Sequence, residues 1–138
     1  MHFLLSHYLF LIPLLVGLSA ELLKIFMEGV RRDAWHEGFF RPGGMPSSHA
    51  AFVTSLVIVV GVKAGLESVE FAISFVLACL VCYDAVSSRH AIGEQAKALN
   101  KLQKKLHFSE RVGHSLKEVI GGILFGSVVT MFGIVLGS

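Results

Sequence analysis

Four apolar stretches, near residues 3–23, 50–66, 71–87 and 119–136, are separated by segments that hold almost all of the charge. A soluble fold of 138 residues lacks the interior to hide that much Leu, Val, Ile and Phe. A helix needs roughly 17–25 mostly apolar residues to cross a bilayer. The first and last stretches meet that requirement. The middle two stand near its lower limit and could be partly buried or re-entrant. No basic residue precedes the first stretch, and it runs directly into Glu21 and Lys24, so it reads as a retained helix rather than a signal peptide. The chain is therefore expected to be all-α. It reads as a multi-pass membrane helical bundle with about four hydrophobic helices, in a single domain over 1–138.

Charge placement orients the bundle. With four spans, the segments 24–48 and 88–118 lie on one side, opposite both termini. They contain eleven of the twelve Lys and Arg residues, with Lys63 on the other side. The positive-inside rule puts both segments in the cytoplasm, and the expected location is the cell membrane. The formal net charge of +2 is too small to argue for a nucleic-acid partner.

Within the second charged segment, residues 93–106 have the pattern of one amphipathic helix. Ala96, Leu99, Leu102 and Leu106 form an apolar stripe, and Lys97, Lys101, Lys104 and Lys105 lie on another face. Such a helix can rest among anionic headgroups at the interface, or pack on the protein's own core. In the last stretch, Gly122 with Gly126 and Gly133 with Gly137 are small-residue pairs four apart. They allow helix backbones to approach closely, within the chain or between copies in a homo-oligomer.

Three segments carry chemistry. Gly43-Gly44-Met45-Pro46-Ser47-Ser48-His49 stands just before the second apolar stretch. Ser47 or Ser48 can cap that helix, whose first N–H groups form an anion site beside His49. Gly113-His114-Ser115-Leu116-Lys117-Glu118 opens the last stretch. At a spacing of four, Glu118 could orient the His114 imidazole on one helix face. At the end of the third stretch come Tyr83, Asp84, Ser88, Arg89 and His90. Asp84 in an apolar run is costly unless paired, and Arg89 is the natural partner. The topology brings Lys24, His49, Asp84, Arg89, His114 and Glu118 to one membrane face. Two histidines, several cations and a helix N-terminus suit phosphoryl transfer. No His/Cys/Asp cluster has metal-ligand spacing, so neither a metal nor another cofactor is expected, and Cys79 and Cys82 read as packing residues.

On these residues the chain resembles the divergent branch of the type 2 phosphatidic acid phosphatase superfamily, related to the vanadium haloperoxidases. The resemblance rests on Ala20 to Lys24, Gly43 to Ala51, Asp84-Ala85 with Arg89, Gly93, Gln95 and Ala96, Leu99-Asn100, and Gly113 to Ser115 with Glu118-Val119. It implies a phosphohistidine on His114, Glu118 as its orienter and His49 as the acid for the leaving group. Lys24, Arg89 and the amides near Ser48 would hold the phosphate, and Gly44, Ser47, Asp84 and Arg41 complete the expected binding set. The pattern departs in four places. Arg31-Arg32 lacks a following proline, Ser48 stands where glycine is usual, Gln95 occupies the usual histidine position, and Glu118 replaces Asp.

The expectation is an integral membrane phosphatase acting on a lipid phosphate or pyrophosphate, including an isoprenoid one, among membrane lipids. The alternative is a catalytically inactive membrane protein that binds anionic lipid or a protein partner.

Overall fold

A computed structural model describes residues 11–32, 44–102, 108 and 115–137; the side chains of 28–32, 88–90 and 137 fall outside the description. The described residues form five helices: α1 (Leu11–Arg32), α2 (Ser48–Ala64), α3 (Val69–Val86), α4 (Ser88–Leu102) and α5 (Leu116–Gly137). No strand occurs among them. The all-α reading holds, with two revised boundaries. The first helix does not stop near residue 23 but continues to Arg32, and the amphipathic helix starts at Ser88 rather than residue 93. Residues 3–10 of the first stretch and 103–106 of the amphipathic one lie outside the description.

Short polar side chains set the helix starts. Ser47 caps α2, its hydroxyl accepting the Ala50 N–H at 3.4 Å. Ser68 caps α3 by accepting the Phe71 N–H at 3.1 Å, and its own hydroxyl donates to the Gly65 carbonyl at 2.7 Å. Gly65, at φ 90, ends α2 in a conformation that penalises any side chain with a Cβ. These few residues turn the chain back, so α2 and α3 run antiparallel. At the other end, Ser87 alone separates α3 from α4, and its N–H still donates to the Tyr83 carbonyl at 2.8 Å.

Helix α2 is the centre of the bundle, in contact with α1, α3 and α5. Its partners on α5 rise in step with it. Ser47 meets Glu118 and Gly122, Ala51 meets Gly126, and the Thr130 hydroxyl donates to the buried Ser55 hydroxyl at 2.7 Å. The two helices are therefore parallel. Small residues make the seam. A Cβ at Gly122 would collide with the Ser47 carbonyl, and one at Gly126 would lie 2.6 Å from the Ala51 carbonyl oxygen. Among the described glycines of the last stretch, then, the first small-residue pair is used within the chain. Val16 and Ala20 of α1 pack with Ala51, while Ala50, Ala85 of α3 and Val119 of α5 form a second cluster.

The large apolar side chains point the other way. Leu15, Leu22, Phe26, Ile73, Leu80, Leu124 and Phe132 are all more than half exposed. An interior of Ala, Gly and Ser with an exterior of Leu, Ile and Phe is the reverse of a soluble core, and it requires an apolar solvent. The continuous run through α3 and the segment Leu116–Leu136 of α5 are long and apolar enough to cross a membrane, and α2 is a shorter apolar helix.

Candidate functional site

The N-termini of α2 and α5 lie side by side. The Ser47 N–H donates to the Glu118 carbonyl at 3.0 Å, and this one bond joins the two segments richest in polar motif residues. Two parallel helices starting together direct two sets of first-turn N–H groups, and two positive dipole ends, toward the same region. Such ends favour a bound anion.

On the α2 side, Gly44 adopts φ 101, a left-handed conformation that explains the glycine there. Met45 then lies over Gly121, and Pro46 and Ser47 are buried. Ser47 has no exposed surface. Its hydroxyl serves the Ala50 N–H, its own N–H serves Glu118, and its carbonyl accepts the Ala51 N–H at 3.0 Å. Ser48 is half-buried and His49 is exposed, in the first turn of α2.

On the α5 side, Ser115 and Glu118 form a reciprocal cap. The Glu118 carboxylate accepts the Ser115 N–H at 3.0 Å, and the Ser115 hydroxyl accepts the Glu118 N–H at 3.3 Å. The helix starts at Leu116, with Ser115 in non-helical conformation ahead of it. The expected pairing of His114 with Glu118 on one helix face falls outside the description. His114 itself lies outside the described residues, as do Arg41 and the Arg89 side chain; the Arg89 backbone is in the first turn of α4.

Lys24 reaches this end of the bundle from α1, one turn beyond Ala20, which packs on Ala51. It is 5% exposed, and its ammonium donates to the Glu21 carboxylate at 2.8 Å. A cation at that depth requires a counter-charge or an anionic ligand. Asp84 lies one residue before Ala85, which packs with Ala50 and Val119. Its side chain is exposed, because the buried face of α3 here is that of Ala85. Its expected pairing with Arg89 falls outside the description.

The structure thus brings Lys24, Gly44, Ser47, Ser48, His49, Asp84 and Glu118 to one end of the bundle. Sequence reasoning gave no role to Glu21 or to the Ser115 cap. The cap was legible, since Ser-x-x-Glu before an apolar run is its signature. The Glu21 partner was open to inference from its three-residue spacing to Lys24. A further polar contact connects α4 to the segment leading into α5. The Asn100 side chain donates to the Phe108 carbonyl at 2.9 Å and accepts the Phe108 N–H at 2.8 Å. No group of three or more His, Cys, Asp or Glu residues suited to a metal occurs among the described residues.

Taken together, the fold and the convergence of polar segments define a helical membrane bundle with a polar site at one end of parallel helices. Residues 5–129 match the model of the Divergent PAP2 family, and the chain belongs to that family. A similar protein is YuiD of Bacillus subtilis (strain 168), described as an uncharacterized membrane protein. It is 36% identical over 109 residues, which cover 64% of this chain and 69% of the relative. No solved structure matches the chain.

Proposed function

We propose that this protein is an integral membrane phosphatase that hydrolyses a lipid phosphate or pyrophosphate through a phosphohistidine. The observation that carries the reading is the Ser47–Glu118 backbone bond, which sets the starts of two parallel helices side by side with buried Lys24 at the same end. Membership of the Divergent PAP2 family supports it.

In this mechanism a nitrogen of His114 attacks phosphorus as the bond from phosphorus to the leaving oxygen breaks. His49 gives its proton to that oxygen. Water then attacks the phosphohistidine, His49 takes the water's proton, and inorganic phosphate leaves as the nitrogen–phosphorus bond breaks. Lys24, Arg89, Arg41, the Gly44 amide and the first-turn amides of Ser48 and His49 stabilise charge on the phosphoryl oxygens. Glu118 holds the start of α5, and Ser47 and Asp84 shape the binding end. The site opens at headgroup depth on the cytoplasmic face of the cell membrane, where a lipid can enter sideways. Neither metal nor cofactor takes part.

The test is phosphate release by purified protein from a panel of lipid phosphates, without added metal. Wild-type release, lost in folded His114→Ala and His49→Ala variants and blocked by vanadate, is the expected result. Release that survives both substitutions overturns the histidine mechanism, and a wild type silent on every substrate overturns the phosphatase reading.

A second reading has its own observation. On α4, Ile92, Leu99 and Leu102 are exposed, as are Lys97 and Lys101. A family member that kept the fold and lost the chemistry would use this helix to bind anionic lipid, and retained vesicle binding by an inactive wild type would favour it.

A further inference from the structure

A Glu and a Lys three residues apart on a helix meet whether or not the contact matters. Lys97 donates to Glu94 at 2.7 Å with both side chains about half exposed, and a solvated pair of this kind contributes little. Lys24 donates to Glu21 at 2.8 Å with side chains only 6% and 16% exposed. Burial, not spacing, sets the second pair apart.

Lys24 stands where the packing of α1 calls for an apolar residue. Pro13, Val16 and Ala20 precede it on one buried face, at helical steps of three and four. Gly17 lies against Phe52 and Ala20 against Ala51, so α1 runs antiparallel to α2 and toward the site end. Lys24, one turn beyond Ala20, comes to the height of the α2 start. Glu21 is three residues earlier, about 4.5 Å deeper in the bundle. Helical side chains tilt toward the N-terminus, so the ammonium reaches back to Glu21, away from the starts of α2 and α5. A phosphate at those starts would draw the same ammonium the opposite way. Lysine is a point charge on a flexible four-carbon stem, able to turn from one partner to the other.

We propose that Glu21 is the resting counter-ion of Lys24, exchanged for the phosphate when substrate binds. The proposal rests on the phosphatase reading for the identity of the ligand, while the exchange itself needs only an oxyanion. In the empty site Glu21 compensates a buried cation. An anion that must displace it binds more weakly, in proportion to the fraction of molecules whose ammonium is released. The weakening applies to substrate and to inorganic phosphate alike, and it lets the product leave. Tight ground-state binding would not raise kcat in any case.

The experiment uses full-length protein in neutral-detergent micelles, as wild type, Glu21→Gln, Glu21→Asp, Lys24→Met and the double variant Glu21→Gln/Lys24→Met. Glu67→Gln, at an exposed position between α2 and α3, controls for net charge. The probe is methylphosphonate in mildly alkaline buffer, a dianion whose carbon–phosphorus bond resists hydrolysis. Its Kd is read by calorimetry, and Tm is read without it. Glu21→Gln should lower Tm by about 5–10 °C, because the buried ammonium loses its counter-charge. The same variant should bind methylphosphonate about ten-fold more tightly than wild type. Glu21→Asp keeps the charge on a stem one carbon shorter and should fall between the two in both readouts. Lys24→Met should lose binding with or without Glu21, and the double variant should recover the Tm that Glu21→Gln loses. Glu67→Gln should match wild type.

Binding by Glu21→Gln that equals wild type, or is weaker, overturns the exchange; if that variant does not fold, Glu21→Asp decides by the same comparison. Phosphate release from lipid phosphates is measured on the same preparations. A wild type that binds methylphosphonate and releases no phosphate sinks the phosphatase reading and leaves the exchange standing. Methylphosphonate bound by neither wild type nor the Glu21 variants overturns the exchange, whatever phosphate is released.

Discussion

The two halves of α5 carry the same small-residue pattern and use it in opposite ways. In the half nearest the site, Gly122 and Gly126 are buried against the backbone of Ser47 and Ala51, so that α2 and α5 touch almost main chain to main chain. In the distal half, a Cβ at Gly133 would have nothing within 4 Å. Large side chains around it, including Met131, Phe132, Val135 and Leu136, are exposed. The lesson is positional. Close approach is concentrated where two helix starts must share a backbone hydrogen bond, and the far ends are left to the surrounding solvent. In a bilayer, where burying apolar surface gains little, helix association depends on such close packing and on hydrogen bonds between helices.

Substitutions can break this contrast or sharpen it. The largest effect is expected from Gly126→Ala. Its new Cβ would sit 2.6 Å from the Ala51 carbonyl oxygen and 2.8 Å from the Ala51 Cα, backbone atoms that cannot swing aside. A loss of about 3 kcal/mol is expected in reversible unfolding in detergent micelles. A neutral result would mean that α2 and α5 are further apart than described.

Next comes Ser47→Ala, which removes the cap on α2 while the Ser47–Glu118 backbone bond can persist. About 1 kcal/mol should be lost in the same assay. The effect of Gly133→Ala should have the opposite sign. With open space around it and helical backbone to stiffen, the alanine should stabilise by about 0.8 kcal/mol. Destabilisation there would show that the distal half is covered, most simply by a second copy of the chain.

The smallest change is expected for Thr130→Val, which removes the hydroxyl donor to Ser55 and keeps the shape. Interhelical bonds of this kind in membranes contribute about 0.6 kcal/mol. Its value lies in the comparison with Gly126→Ala: contact between backbones should outweigh a buried hydrogen bond between side chains.

Much of this was legible without coordinates. The apolar stretches announced helices for a membrane because their length and hydropathy match the bilayer, whatever the helices touch. The serine caps were readable too, since capping is local chemistry: Ser47 was one of two candidates, and the hydroxyl in contact with the Ala50 N–H identified it. The resemblance to the family rested on strings such as Gly43 to Ala51, which are contiguous in the chain.

What tertiary structure alone decided is of another kind. It decided that α2 and α5 run parallel with their starts bonded, that Gly126 is crowded and Gly133 is not, and that Asn100 takes Phe108 rather than solvent. It also decided that Asp84 is exposed and that Glu21 neutralises buried Lys24. Local sequence sets propensity, hydropathy and caps because those depend on neighbours within a turn or two. Which faces meet depends on residues scores of positions apart, and identical glycines acquire different roles only when a second helix arrives beside one of them.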